Sequence, residues 1–571
     1  MDEEKRNLFL FFIISILIMV GYPYFFGDKG GVQTAPQNVV CETCNTVLPA
    51  AASADAKIIA RKNSSTAAKV ENIEIKAARV SGTICSKGIR FNDIRLKDYK
   101  KDLDGNEKVS LFGDENSKNY YAQTGWRSDD SAIILPDQDS CWEVSGTELS
   151  ENSPITFTWD NGEGLKFEKK ISIDDNFLIT IEDRVQNYGE STVTLKNVKE
   201  IHRDFLNQQE ALAFYEGPLG CFDGKMQEIK YEDIAEKGEI NCSGKASWFG
   251  LTDKYWLVAF VPNQGGMSGV KYKCDGKNSY TILGIGGDIS LSPNGAATEI
   301  NRLYLGAKEI KTLDMCEEKL GAKHFDLALD FGYFYIFTKP LLYAIAYAKD
   351  IVGNMGLVII LITLLLKLLL FPLADKSYRS MNKMRDVQPK IQALQKKYGN
   401  DKVKLGQEVS ELYRKEKVNP VGGCLPMLLQ WPILIALYKV LYISIEMRQA
   451  PFFGWIRDLS QADPLTIFNL FGLLPINLPG FLQIGVWPLI MGATMIIQQK
   501  LSPAPADPSQ EKMLFAMPIV FTFMFAQFPA GLVIYWTFSN LLGILQQYYL
   551  IKTGEKALTK KDAGDKINEK N

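Results

Sequence analysis

At 571 residues and a formal charge of −2, the chain has length for several domains and no net positive field to suggest nucleic acid. Its apolar residues gather at the extreme N-terminus and after residue 350, whereas 41–320 reads as ordinary soluble sequence. Only two histidines and no G-x-x-x-x-G-K-[ST] run are present, which argues against a histidine-rich metal centre and a phosphate loop.

Residues 1–27 predict a transmembrane signal anchor. LFLFFIISILIMVGYPYFF, residues 8–26, is long enough for a bilayer core of roughly 30 Å. Lys5 and Arg6 precede it and no A-x-A cleavage site follows directly, so an uncleaved anchor with its N-terminus inside is expected. Residues 28–56, rich in Gly, Ala, Ser, Asn and Thr, predict a flexible linker. Cys41 and Cys44 within it form a lone C-x-x-C pair. A structural metal needs four good ligands, so no metal or redox site is expected there.

From 57 to 320 the pattern becomes short alternating runs, which predict one large all-β sandwich. In ITFTWDNGEGLKFEKKISI, Ile155, Phe157 and Trp159 alternate with polar residues, and Asn161-Gly162 supplies a turn. FLITIEDRVQN, STVTLKNVKEI and WFGLTDKYWLVAFV continue the pattern. Eight of the nine cysteines fall before residue 320, and some are expected to be bridged if the compartment is oxidising. His202 has no triad or metal motif around it in sequence, so a satisfied histidine is expected and no catalytic residue is assigned.

Residues 321–350 predict an amphipathic helix at the membrane surface, with Phe325, Leu327, Leu329, Phe334 and Phe337 on its apolar side. The second span, 351–374, holds GLVIILITLLLKLLLFPL with Lys367 in its middle. A charge there costs about 2.5–3.5 kcal/mol on insertion scales, so it must face protein or water, or else snorkel to the interface. Thr363 lies four residues earlier on the same helical face.

Residues 375–418 predict a cytoplasmic helical hairpin. Met381, Met384, Val387, Ile391, Leu394 and Tyr398 recur at helical spacing, and Leu405, Val409 and Leu412 do so after Gly399-Asn400-Asp401. Pro389 is expected to kink the first helix or delay its start. Spans three to six fall within 419–551, at 421–443, about 482–499, 513–529 and 531–550, with 465–481 interfacial or re-entrant. Pro529-Ala530-Gly531 closes the last two into a tight hairpin. Basic residues set the orientation: twelve Lys/Arg lie in 375–417 and six in the tail 552–571, against two in 444–481. Both termini are therefore expected in the cytoplasm, with 28–350 on the opposite side.

GNMGLVIILITLLLKLLLFPL, KMRDVQPKIQALQKKYG, VNPVGGCLPMLLQWPI, MRQAPFFGWIRDLS and FPAGLVIYWTFSNLLGILQQ occur in this order. Together they resemble the YidC/Oxa/Alb insertase family from Phe331 onward. The β-rich insertion resembles the Gram-negative branch, whose domain is similar to a galactose-mutarotase super-sandwich without sugar chemistry. The resemblance implies six spans, five of them around a hydrophilic groove open to the cytoplasm and to lipid and closed outside. Lys367 occupies the groove's single positive position, where many relatives have arginine, and Thr363 matches a second groove position. Tyr535 and Trp536 match an aromatic pair facing it. Cys424, Pro426, Trp431, Pro432 and Met524 match a hydrophobic slide for substrate helices.

The implied activity is insertion and chaperoning of integral membrane proteins in the bacterial inner membrane, without enzymatic turnover or cofactor. The implied partners are nascent membrane proteins, the Sec translocon, the ribosome and membrane lipids, and the domain outside would be periplasmic. Two rivals are a secondary transporter, which should show internal repeats, and a tethered sugar enzyme, which should show catalytic groups in the external domain.

Overall fold

The computed structural model describes residues 70–112, 117–205, 215–263, 267–276, 278–332, 334–398, 401–416, 425–468, 483–501 and 508–568. The signal anchor, the linker, Cys41, Cys44, Cys424 and most of 465–481 lie outside the described residues. What is described falls into two compact units, one ending at Asp330 and the other beginning at Phe331.

The first unit is built on two sheets of ten and nine strands. Strict alternation explains why these residues form strands. Leu165–Ile173 buries every odd-numbered residue, and its partner Leu178–Asn187 pairs with it antiparallel from Ile179↔Ile173 to Asn187↔Leu165. The preceding turn is closed by Asn161, whose Oδ1 accepts from the amides of Glu163 and Leu165, with Gly162 at φ 71°. On the other sheet, Val193–Phe205 lies between Ser117–Arg127 and Ser279–Leu291.

The two sheets meet across an apolar core containing Trp248, Phe249, Phe260 and Tyr304, into which a polar cluster is set. Lys169 from one sheet pairs with Asp183 and reaches the Thr124 carbonyl oxygen, 3.1 Å away on the other sheet. Asn301 Nδ2 donates to Asp183 Oδ2 at 2.8 Å and to Asn197 Oδ1 at 3.1 Å. Lys199 Nζ donates to Asn197 Oδ1 at 3.0 Å. Helix α1 (Tyr231–Lys237) lies within the sheet sequence, and α2 (Ile310–Leu320) follows the last strand.

Three expectations are corrected here. The stretch 321–350 is not one surface helix. Phe325 and Leu329 are buried in the β unit, with Phe325 edge-on to Trp248 and Tyr304. Gly321 ends α2 in a left-handed turn, and only Tyr335–Val352 (α3) is a continuous helix, in the second unit. Apolar spacing alone could not separate a chain entering a soluble core from one lying on lipid. The β unit likewise runs on to Asp330 rather than stopping at 320. Finally, no disulfide joins Cys85, Cys141, Cys221, Cys242, Cys274 and Cys316, the external cysteines among the described residues. Four of them are buried inside the sandwich or against it, as small apolar side chains commonly are.

The second unit is helical. After α3 come α4 (Met355–Leu369), α5 (Phe371–Tyr398), α6 (Lys402–Lys415), α7 (Leu425–Ile443), α8 (Val486–Leu501), α9 (Pro508–Phe525) and α10 (Ala530–Asn568). Asn354 caps α4 through the Leu357 amide, and Asp401 caps α6 through the Lys404 amide. The expected second span is bent by 57° between α4 and α5. Pro372 disfavours helical geometry at the residue before it and is tolerated only in a first turn, so a new helix starts at Phe371. Among the described residues no single helix is long and apolar enough to cross a membrane, but this bent pair passes together. The expected hairpin thus begins at Phe371, with Pro389 inside α5, and α10 runs unbroken through the expected boundary at 551/552.

Candidate functional site

The end of the bundle where α4 starts is closed by the segment 445–468. Its own Ile445, Met447, Ile456 and Leu459 are buried. Phe452 lies so close over Gly356 that a Cβ there would stand 1.9 Å from its ring, so only glycine fits on that turn of α4. The ring continues into Trp487 and then Phe538, with centroids 5.8 and 6.4 Å apart. Asp463, 5% exposed, fastens the segment to α8. Its carboxylate accepts from Trp455 Nε1 at 2.9 Å, the Leu465 amide at 3.0 Å and the Trp487 amide at 2.8 Å. The last of these falls in the first turn of α8, where a negative charge is favoured. The amides of Ala530 and Gly531, opening α10, donate to the carbonyls of Gln461 and Leu459.

Away from this plug the helices α4, α8 and α10 enclose polar groups. Asn540, Gly543 and Gln547 recur at i, i+3 and i+7 along α10 and face Thr494 and Gln498 of α8. Asn540 Nδ2 donates to Thr494 Oγ1 at 3.1 Å, and Gln547 Nε2 donates to the Leu501 carbonyl at 2.8 Å. Lys367 of α4 reaches this seam. A Cβ placed on Gly543 would lie 3.0 Å from Gln498 Nε2 and 3.9 Å from Lys367 Nζ. The Lys367 side chain is half-buried, and among the described residues no carboxylate pairs with it. On the same helix Leu364, Leu365, Leu368 and Leu369 are exposed.

The other expected site residues are dispersed around this point. Thr363 is 1% exposed, and its hydroxyl donates to the Ile359 carbonyl at 2.6 Å within α4. Tyr535, 3% exposed, lies eight residues before Gly543, roughly 12 Å along the helix at 1.5 Å per residue. Trp536 packs on Phe525 and Phe521 of α9, with ring centroids 4.8 and 6.0 Å away. Pro426, Trp431 and Pro432 lie on α7 and Met524 on α9. The polar seam was missed from sequence. Its signal was present: polar or small residues at helical spacing inside an apolar run, the pattern by which membrane helices bind each other.

The family described as 60Kd inner membrane protein matches residues 347–557, and the YidC periplasmic domain matches 72–344. A protein of Rickettsia massiliae named membrane protein insertase YidC is 41% identical over 562 residues, covering 97% of this chain and 100% of the relative. The chain belongs to the YidC family of membrane protein insertases. A relative with the same name from Rickettsia conorii is 42% identical over the same coverage. A crystal structure of an active YidC insertase is 16% identical and covers 84% of this chain and 94% of its own, with a TM-score of 0.35. Membership makes this an inner-membrane protein with a periplasmic domain, and that domain is the β unit.

On the periplasmic domain the structure also reveals what surrounds His202. Its Nδ1 lies 2.9 Å from Thr281 Oγ1 and its Nε2 3.0 Å from Asp204 Oδ1, while the ring stacks on Tyr121. Every polar atom of the imidazole is engaged within the sheet, in keeping with a satisfied histidine.

Proposed function

We propose that this chain inserts nascent integral membrane proteins into the inner membrane and chaperones their folding, alone or with the Sec translocon, without enzymatic turnover. The observation that carries the reading is Lys367: a cation on an apolar helix, without a carboxylate partner among the described residues, reaching the same point of α10, at Gly543, as the amide of Gln498. A polar flank of a client helix would otherwise cross hydrocarbon bare. A hydrated, positively charged groove formed with Thr363, Tyr535 and Trp536 shortens that path and attracts acidic flanks. Cys424, Pro426, Trp431, Pro432 and Met524 would then form the slide by which the client helix reaches lipid. Burial of its apolar surface, at roughly 25 cal/mol per Å², drives the step.

In this reading the chain crosses the membrane six times with both termini in the cytoplasm. The twelve basic residues of 375–417 and the six of 552–571 lie where ribosomes deliver clients. Support comes from family membership, the charge asymmetry and the isolated intramembrane lysine. The test is reconstitution of the full chain into liposomes with a single-span client synthesised in vitro. Protease protection of the client well above that in empty liposomes is expected. Protection no greater than in empty liposomes would contradict the function.

A further inference from the structure

Glycines in a membrane helix usually record the close packing of a neighbouring helix or loop, and two in this bundle do. A Cβ on Gly492 would lie 2.1 Å from Thr522 Oγ1, and one on Gly531 would lie 3.2 Å from the Leu459 carbonyl oxygen. Gly543 is different. It is buried in α10, and the nearest atoms to its missing Cβ are the ends of two long polar side chains, Gln498 and Lys367, which approach from α8 and α4. No backbone crosses close enough to demand glycine. Glycine inside a helix is also worse than alanine by about 0.5–1 kcal/mol, so local propensity does not select it either. What its missing side chain provides is room for the ends of Gln498 and Lys367 against α10: a Cβ would stand 3.0 Å from the Gln498 amide, close enough that this side chain would have to give way.

We propose that Gly543 is a specificity-determining position of the insertase: its absent side chain keeps open the room in which the Lys367 ammonium meets a carboxylate on the client's flank. The proposal rests on the insertase reading above. One turn before Gly543, the Asn540–Thr494 hydrogen bond fixes α10 against α8, which holds the two helices at a set distance there. A valine at 543 fills the room, displaces Gln498 and stands between Lys367 and an arriving carboxylate. An alanine only crowds Gln498, whose flexible amide can move. Neutral flanks gain little from the ammonium and lose little when it is covered.

The experiment uses the full chain in liposomes and paired clients that differ only in flank charge, acidic or neutral. Gly543→Val should lower insertion of the acidic client about tenfold, the equivalent of 1.4 kcal/mol, and that of the neutral client by less than about twofold. Gly543→Ala should show the same selectivity at about threefold, which covers the case of a valine variant that fails to accumulate. In a Lys367→Met background, Gly543→Val should add nothing for either client. Gly492→Ala, altering a packing glycine away from the lysine, should affect both clients alike. Equal losses for acidic and neutral clients in both Gly543 variants, or a further selective loss in the Lys367→Met background, would overturn the proposal. Wild-type protein that inserts neither client above empty liposomes would instead reject the insertase reading itself.

Discussion

Asn540 and Thr494 are joined by a hydrogen bond of 3.1 Å between α10 and α8, and both side chains are buried. The Thr494 hydroxyl donates to the Met491 carbonyl at 2.7 Å, so its oxygen can accept from the asparagine amide. In hydrocarbon the alternative for either group is an unsatisfied polar atom, and interhelical bonds of this kind are worth about 0.6 kcal/mol, rarely beyond 1.7.

Breaking that bond should therefore loosen the bundle without unfolding it. Asn540→Leu and Thr494→Val should each destabilise the protein by about 1 kcal/mol, with a coupling energy near that of the single bond. Denaturation of the two single variants and the double variant in detergent micelles measures it. Additive losses would show that the bond contributes nothing.

In the periplasmic domain, Lys199 carries a pH prediction. It is 1% exposed, and burial lowers its pKa from 10.5 to about 8, against the opposing pull of Glu299 and Asp183. The unfolded chain therefore binds more protons than the folded one between about pH 8 and 10.5, and in that window the contribution of Lys199 to stability rises with pH, by at most about 3 kcal/mol. Below pH 8 both states are protonated and the contribution is flat. Lys199→Met should remove the rise, as read from urea midpoints of the domain between pH 7 and 10. A rise unchanged in the variant would assign it to other groups.

The thiols should differ widely in reactivity. Burial, aided by Asp174, pushes Cys316 up to about 12, whereas Cys85 and Cys141 are half-buried and open to reagent. Only the thiolate reacts, so alkylation of the native protein should label Cys85 and Cys141 first and Cys316 last. Mass spectrometry of the labelled peptides gives the order. Any of the six found joined to another in a disulfide would contradict this arrangement.

The hairpin of α5 and α6 should open more readily than the bundle. Its described apolar contact is a small cluster, Val387 and Ile391 against Val409, Leu412 and Tyr413, and its ion pair Lys390–Glu416 is exposed. Exposed pairs are screened by solvent and contribute little. Amide exchange should be faster in 381–414 than in α10 around Asn540 by at least about tenfold. Equal protection would make the hairpin a rigid part of the fold.

Much of this architecture could be read from residue patterns because each pattern has one dominant physical cause. Period-two alternation in 155–187 can only bury one face of a sheet, and Asn161-Gly162 names its turn. Lys367 announces itself by being costly where it stands. Phe325 and Leu329 show the opposite case: an apolar spacing suits a lipid surface and a protein core equally, and only the tertiary contact with Trp248 decides. The bend at Leu370 was encoded in Phe371-Pro372 but masked by hydropathy, which averages over the break. Gly543 and Asn540 carried weak signals in sequence, because a small residue and an amide acquire meaning only when α4 and α8 are placed beside them.

If Lys367 acts through its charge on the client, flank charge decides which clients a variant loses. Insertion of clients with acidic and neutral flanks, compared across Lys367→Arg, Lys367→Ala and Lys367→Glu, tests it most directly. Arginine should preserve insertion of both clients. Alanine should impair the acidic client selectively, and glutamate should impair it further, because repulsion then replaces an attraction that a partly hydrated site strengthens over bulk water. Equal defects for acidic and neutral flanks across the three variants would show that Lys367 serves the structure of the bundle, and would contradict the charged-groove account.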